Sequence, residues 1–264
     1  PTFDFYLSEQ QSVTLFWEEV NSAIGYEIEA KHGDIIEVYP FSVGGGFGVV
    51  DGLLEATDYR FRIRAQNDAG YSEYSNQVSV MTVSGTPQNI MISDLDQKNA
   101  ILSWDAVNGA ESYSIELSTD NFSSWVSGYG PKIVTGNIID VDKLTPGVNY
   151  DVRIQSQNSA GVSEYSDIHT FSTISATPIA RSASAISSTS FTANWDGVSG
   201  DNVTYTLEIA DNVNFETVQF TETTSGALSF QKSSLPDGVS YWYRVRSNND
   251  AGSSPFSQII FVEQ

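Results

Sequence analysis

Apolar and polar residues alternate along most of the chain. Ala100, Leu102 and Trp104 are separated by Ile101 and Ser103, and Tyr113, Ile115 and Leu117 by Ser114 and Glu116. Tyr150, Val152 and Ile154 alternate with Asp151, Arg153 and Gln155 in the same way. A period of two is that of a strand with one buried and one wet face, the usual arrangement in antiparallel sheets. Asn108-Gly109, Asp120-Asn121 and Pro146-Gly147 punctuate the runs with turn residues. No segment carries an amphipathic helical period. About seven short strands in a unit of about 91 residues predict a β-sandwich.

The unit recurs. Tyr59, Tyr150 and Tyr241 are spaced by 91 residues, as are Leu53, Leu144 and Leu235. Asn67-Asp68-Ala69-Gly70 returns as Asn158-Ser159-Ala160-Gly161 and Asn249-Asp250-Ala251-Gly252. Trp17, Trp104 and Trp195 follow at intervals of 87 and 91, so the first unit is four residues shorter between its Trp and its Leu. Length alone suggests about two domains, but the intervals make three: 1–84, 85–175 and 176–264, with junctions at Thr86-Pro87 and Thr177-Pro178. Proline and β-branched residues keep those junctions short of free flexibility.

A tryptophan on the second strand, a tyrosine on the third, Leu-Thr-Pro-Gly-Val-Asn-Tyr-Asp-Val-Arg-Ile at 144–154 and the Asn-x-Ala-Gly loop resemble the fibronectin type III signature. The resemblance covers nearly the whole chain and implies an all-β fold of three tandem immunoglobulin-like, seven-stranded sandwiches. It makes Trp17, Trp104 and Trp195 core residues, and Tyr59, Tyr150 and Tyr241 the "tyrosine corner". Segments 113–129 and 205–215 look like modules of large secreted and surface-attached bacterial proteins, and the Pro-Pro and Asp-Gly-Gly signatures of muscle-type repeats are missing. The first unit departs from this pattern with Lys31-His32-Gly33-Asp34 at the corresponding turn.

Charge narrows the partners. The net charge is −21, and each unit sets four basic residues against 13, 11 and 9 acidic ones in turn. None offers the basic face that phosphate backbones or anionic lipids require, so no nucleic-acid partner is expected. The acids are scattered, without an Asp-x-Asp-x-Asp-Gly loop, and read as a solvated, self-repelling surface of a monomer rather than a calcium site. Arg60, Arg62, Arg64, Arg153, Arg244 and Arg246 point outward opposite Glu27, Glu29, Glu116 and Glu208, so cross-strand ion pairs are expected rather than a basic patch. No apolar run is long enough to span a membrane. The chain opens on Pro1 without a charged and then apolar leader, as expected of a piece excised from a larger protein.

Chemistry has little to work with. There is no cysteine, which removes disulfides, thiolate metal sites and thiol nucleophiles. Of the two histidines, His32 is expected to be solvated in a Gly-Asp turn. His169 takes the place of Val78 and Ile260 in a strand. No Gly-x-Ser-x-Gly elbow occurs, and no insertion forms a cleft around a carboxylate pair. Gly44-Gly45-Gly46-Phe47-Gly48 precedes no helix and reads as a turn, not a phosphate cradle. Arg-Gly-Asp is absent. Asn121-Phe122-Ser123 and Asn202-Val203-Thr204 match the glycosylation sequon. Neither a cofactor nor a metal is expected, and no enzyme.

Trp125 and Tyr129, in the segment after the third strand, and Trp242, between core-facing Tyr241 and Tyr243, are read as solvent-facing aromatics. Such rings stack on sugars, anchor a partner protein, or cover contacts between units. The function expected is that of a non-catalytic spacer or adhesion-type interaction segment of a larger extracellular or cell-surface protein. The alternative is an accessory, carbohydrate-binding segment beside a secreted polysaccharide-degrading enzyme. The partners expected are the other domains of the parent and a protein or polysaccharide ligand.

Overall fold

The computed structural model describes residues 2–264 and contains strands and turns without a helix among them. The first unit holds β1 (Phe3–Ser8), β2 (Ser12–Trp17), β3 (Gly25–His32), β4 (Ile35–Ser42), β5 (Phe47–Asp51), β6 (Asp58–Asn67), β7 (Gly70–Tyr71) and β8 (Val78–Met81). The second holds β9 (Met91–Ser93), β10 (Ala100–Ser103), β11 (Ser112–Ser118), β12 (Lys132–Val134), β13 (Ile138–Val141), β14 (Asn149–Asn158), β15 (Gly161–Val162) and β16 (His169–Ser172). The third holds β17 (Ala180–Ser187), β18 (Ser190–Trp195), β19 (Thr204–Ala210), β20 (Val218–Ser225), β21 (Ser229–Lys232), β22 (Tyr241–Asn249), β23 (Gly252–Ser253) and β24 (Ile260–Val262).

Each unit folds its strands into two sheets by one rule. In the first, β1-β2-β5 form one sheet and β4-β3-β6 the other, with β7 and β8 both paired to β6. All pairs are antiparallel, and the inward residues of the two sheets meet in a core. The three cores are separate clusters within residues 3–80, 100–171 and 180–262. The protein is therefore all-β, three immunoglobulin-like sandwiches of the fibronectin type III kind. Seven strand positions hold eight segments, because the last strand is broken in two.

The alternation expected from the sequence is the alternation seen. Trp17, Trp104, Trp195, Tyr59, Tyr150 and Tyr241 are all buried. The corner hydroxyl of Tyr59 accepts the Leu54 amide at 2.9 Å, and that of Tyr150 the Thr145 amide at 2.7 Å. The equivalent residue in the third unit is Pro236, which has no N–H to give. A second tyrosine lock recurs in all three units. Tyr26, Tyr113 and Tyr205 accept the Val20, Val107 and Val198 amides and hold the loop between the second and third strands.

Candidate functional site

The outer face of the larger sheet carries the chain's densest polar chemistry. Arg62 meets Glu29 at 2.8 Å, Arg64 meets Glu27 at 2.5 Å, Arg153 meets Glu116 at 2.6 Å, and Arg244 meets Glu208 at 2.7 Å. These are directly opposed residues on neighbouring strands. Arg60 stands opposite Lys31, and Arg246 opposite Thr206, so neither joins the ladder expected for it. The hydrogen bond from Arg62 holds the Glu29 carboxyl below its ordinary range.

Aromatic rings close over these guanidinium groups. Arg153 lies between Phe122 at 4.1 Å and Tyr165 at 3.9 Å, and Arg244 between Phe215 at 4.2 Å and Phe256 at 4.1 Å. Arg62 stacks on Tyr74 at 3.9 Å, and Arg64 on Tyr71 at 4.1 Å. One ring in each unit, Tyr74, Tyr165 or Phe256, arrives by a recurring tetrapeptide: Ser72-Glu73-Tyr74-Ser75, Ser163-Glu164-Tyr165-Ser166 and Ser254-Pro255-Phe256-Ser257. It fills the break in the last strand. There the serine hydroxyls replace ladder bonds: Ser72 accepts the Ala65 amide and Ser75 the Ile63 amide, both at 3.0 Å. The other two units repeat both bonds. The same 91-residue interval marks this motif, although 161–164 reads from the sequence as only a connecting loop. Covered by rings and ion-paired, Arg62, Arg64, Arg153 and Arg244 stiffen the sheet, whereas Arg60 and Lys31 stay outside the ladder.

The three aromatics expected to face solvent part company. Trp125 is 53% exposed, but Tyr129 is 2% exposed and belongs to the second core. Parity fails for Tyr129 because 119–131 is loop rather than strand. The loop turns the ring inward, where its hydroxyl donates to Asp142 at 3.0 Å and accepts the Asp142 amide. Burial raises its pKa. Trp242 is half-buried and packs on Phe261 at 5.1 Å. The three do not form one platform. His32 also departs from expectation: it ends β3 and packs against the Tyr59 ring at 4.9 Å. His169 lies in β16 as a strand residue, and Gly44–Gly46 form a turn between β4 and β5 with positive φ.

The Asn-x-Ala-Gly loops do more than turn the chain. Asn158 donates to the Thr82 carbonyl of the preceding unit at 3.0 Å, and Asn249 to the Thr173 carbonyl at 2.8 Å. Beside them Ser156 bonds Ser84 at 2.7 Å and donates to the Gly85 carbonyl at 2.6 Å. Ser247 does the same with Ser175 and Ala176 at 2.8 and 2.7 Å. All four serines are fully buried. The two junctions are thus one joint built twice. The first unit has Ala65 where the others have Ser156 and Ser247.

Residues 85–172 match the model of the Fibronectin type III domain. The chain is 28% identical over 263 residues to Fibronectin type III domain-containing protein 7 of mouse, covering 96% of this chain and 33% of that protein. It is 24% identical over 240 residues to the striated-muscle M-protein of chicken, covering 81% of this chain and 16% of that protein. It spans a third or less of the curated relatives it matches here. Among solved structures, the FN1-FN3 domains of chicken CNTN1 align over 99% of this chain and 97% of that one, at 19% identity and a TM-score of 0.35.

Proposed function

We propose that the chain is a non-catalytic spacer and interaction segment of a larger protein, made of units 1–84, 85–175 and 176–264. One observation carries the reading. The same buried serine–serine and asparagine–carbonyl bonds close both junctions, which is what a segment that holds its neighbours at a set separation needs. Bending that opens such a joint exchanges each bond for one to water at a net cost of about 0.5–1.5 kcal/mol, which restrains the motion. Each sandwich is about 25–35 Å long, so three in file span about 75–105 Å. Small-angle scattering should return a maximum dimension in that range, and a value near 60 Å would mean that the units fold back and would sink the spacer reading.

The extracellular or cell-surface setting and the adhesive role rest on resemblance. The relatives compared above come from mouse and chicken, so the likeness to bacterial modules stands on segments 113–129 and 205–215 alone. A second reading, an accessory segment that touches neutral polysaccharide, rests on Trp125. Its indole is exposed, and it lies so close over Gly130 that a side chain there would strike the ring. Retardation of the chain in gels containing soluble β-glucan, xylan or galactomannan, lost in Trp125→Ala, tests it. Unretarded migration in all three removes it.

A further inference from the structure

The exposed apolar residues are not shared evenly. Among the described residues, fourteen of the large ones lie in the first unit and six in each of the others. Six of the fourteen fall within fifteen residues: Ile35, Ile36, Val38, Phe47 and Val49 on β4 and β5, and Val43 in the turn between them. Both are edge strands, one of each sheet. The other units blunt the matching edge. There β12 is only three residues long and begins with Lys132, and β20 reads Val-Gln-Phe-Thr-Glu-Thr-Thr-Ser. In the first unit a two-residue turn, Gly33-Asp34, replaces the longer loop and lets β4 pair with β3 over eight residues without a bulge, whereas the register of β20 on β19 shifts between Ile209 and Ala210.

The outward backbone of β4 follows from the pairing. Ser72 and Ser75 take the amides of Ala65 and Ile63, so odd residues of β6 face away from β3 and even ones face it. Gly25, Glu27 and Glu29 then bond β6, whereas Tyr26, Ile28 and Ala30 bond Phe41, Tyr39 and Glu37 of β4. Ile36, Val38 and Pro40 are left with their backbones toward solvent. Pro40 agrees, since proline in a paired strand sits where its missing N–H would face outward. Ile36 and Val38 therefore each present a free N–H and C=O, with side chains 52% and 50% exposed.

We propose that β4 is a docking edge for an extended segment of a partner protein, added to the sheet as a further strand, with apolar side chains against Ile36 and Val38 and lysine or arginine near Glu37. Charge selects this occupant. The unit sets 13 acids against four bases, with Asp34 in the turn before the edge and Glu37 on it. Arg62 and Arg64 are already held by Glu29 and Glu27, which leaves Lys31, opposite Ile36, and Arg60 beside it as the nearby cations. A second copy is disfavoured, because antiparallel pairing centred on the edge sets Glu37 against Glu37 and two strongly acidic units together. The proposal deepens the interaction half of the function proposed above and is independent of the spacer half.

The test titrates the full chain with a short acetylated peptide of alternating valine and lysine, and with its valine–glutamate counterpart, following backbone amides by NMR. Shifts centred on Ile36 and Val38 are expected, and Val38→Pro, which removes one outward amide, should weaken binding about tenfold. Ile36→Thr, which keeps the amide, should bind more weakly than wild type but more tightly than Val38→Pro. Unchanged scattering dimensions and melting in both variants separate a lost edge from a lost fold. The proposal is overturned if the lysine peptide does not bind, shifts residues elsewhere, binds Val38→Pro as well as wild type, or binds no better than the glutamate peptide.

Discussion

The first and third sandwiches share an interior and differ in their skins. Trp17 and Trp195, Leu53 and Leu235, Tyr59 and Tyr241 are buried at matching places in both. On the outer face of the smaller sheet, Phe16 pairs with Phe47, and Thr14 lies between Leu7 and Val49. In the third unit the same positions hold Asn194 beside Arg181 and Ser229, and Thr192 beside Ser184 and Gln231. The inner pattern is dictated by packing, where a change of one methylene is felt. The outer pattern is free of that constraint and can record what a unit touches. The unit with the most exposed apolar side chains is also the most acidic, a combination that keeps a sticky surface soluble by repulsion.

The sharpest way to break this contrast uses adjacent residues. Trp17→Ala should cost the first unit about 3–5 kcal/mol, the range for a buried large aromatic. Phe16→Ser beside it, on the open face, should cost within about 0.5 kcal/mol. Chemical denaturation of the full chain reads both. Similar losses at the two positions would mean that the outer face is covered within the chain and is no interaction surface.

A smaller effect separates the units at the tyrosine corner. Tyr59→Phe and Tyr150→Phe each strand one backbone amide and should cost about 1–2 kcal/mol. Tyr241→Phe should cost much less, because Pro236 has no amide to lose. Equal losses in all three would show that the hydroxyl acts through some other partner.

Acid should act on the first unit through Glu29. Its carboxyl titrates below the ordinary glutamate range in the folded chain because Arg62 bonds it. The unfolded chain therefore takes up the proton first. The stabilisation is complete above the unfolded value and is lost as pH falls through the folded one. Glu29→Gln should flatten the fall of the urea midpoint over that acidic window and leave neutral pH least dependent on pH. An unchanged slope would remove the pair from the account.

The joint gives the smallest thermal effect and the clearest mechanical one. Ser156→Ala should shift unfolding by about 1 kcal/mol and broaden the spread of distances between spin labels on the first two units. The first unit already has Ala65 at this position. A spread as narrow as in wild type would mean that Asn158 and the packing around it suffice.

Sequence alone determined the architecture and the inward residues. A period of two with intervals of 91 leaves few alternatives, since a strand slipped by one residue exposes its whole apolar set. It also determined the pairing of Glu27, Glu29, Glu116 and Glu208 with arginines, because opposed outward positions on neighbouring strands must meet. Tertiary structure decided everything that depends on where a loop goes. Tyr129 was turned into the core because parity holds only while the chain stays extended. His32 was drawn onto Tyr59, and Asn158 and Asn249 were drawn onto the carbonyls of the unit before. The open edge of β4 is of the same kind. Ile-Ile-Glu-Val-Tyr alternates like any strand in sequence, and only the order of strands in the sheet decides that its outward amides find no neighbour, because pairing between strands is a contact at long range that no local pattern encodes.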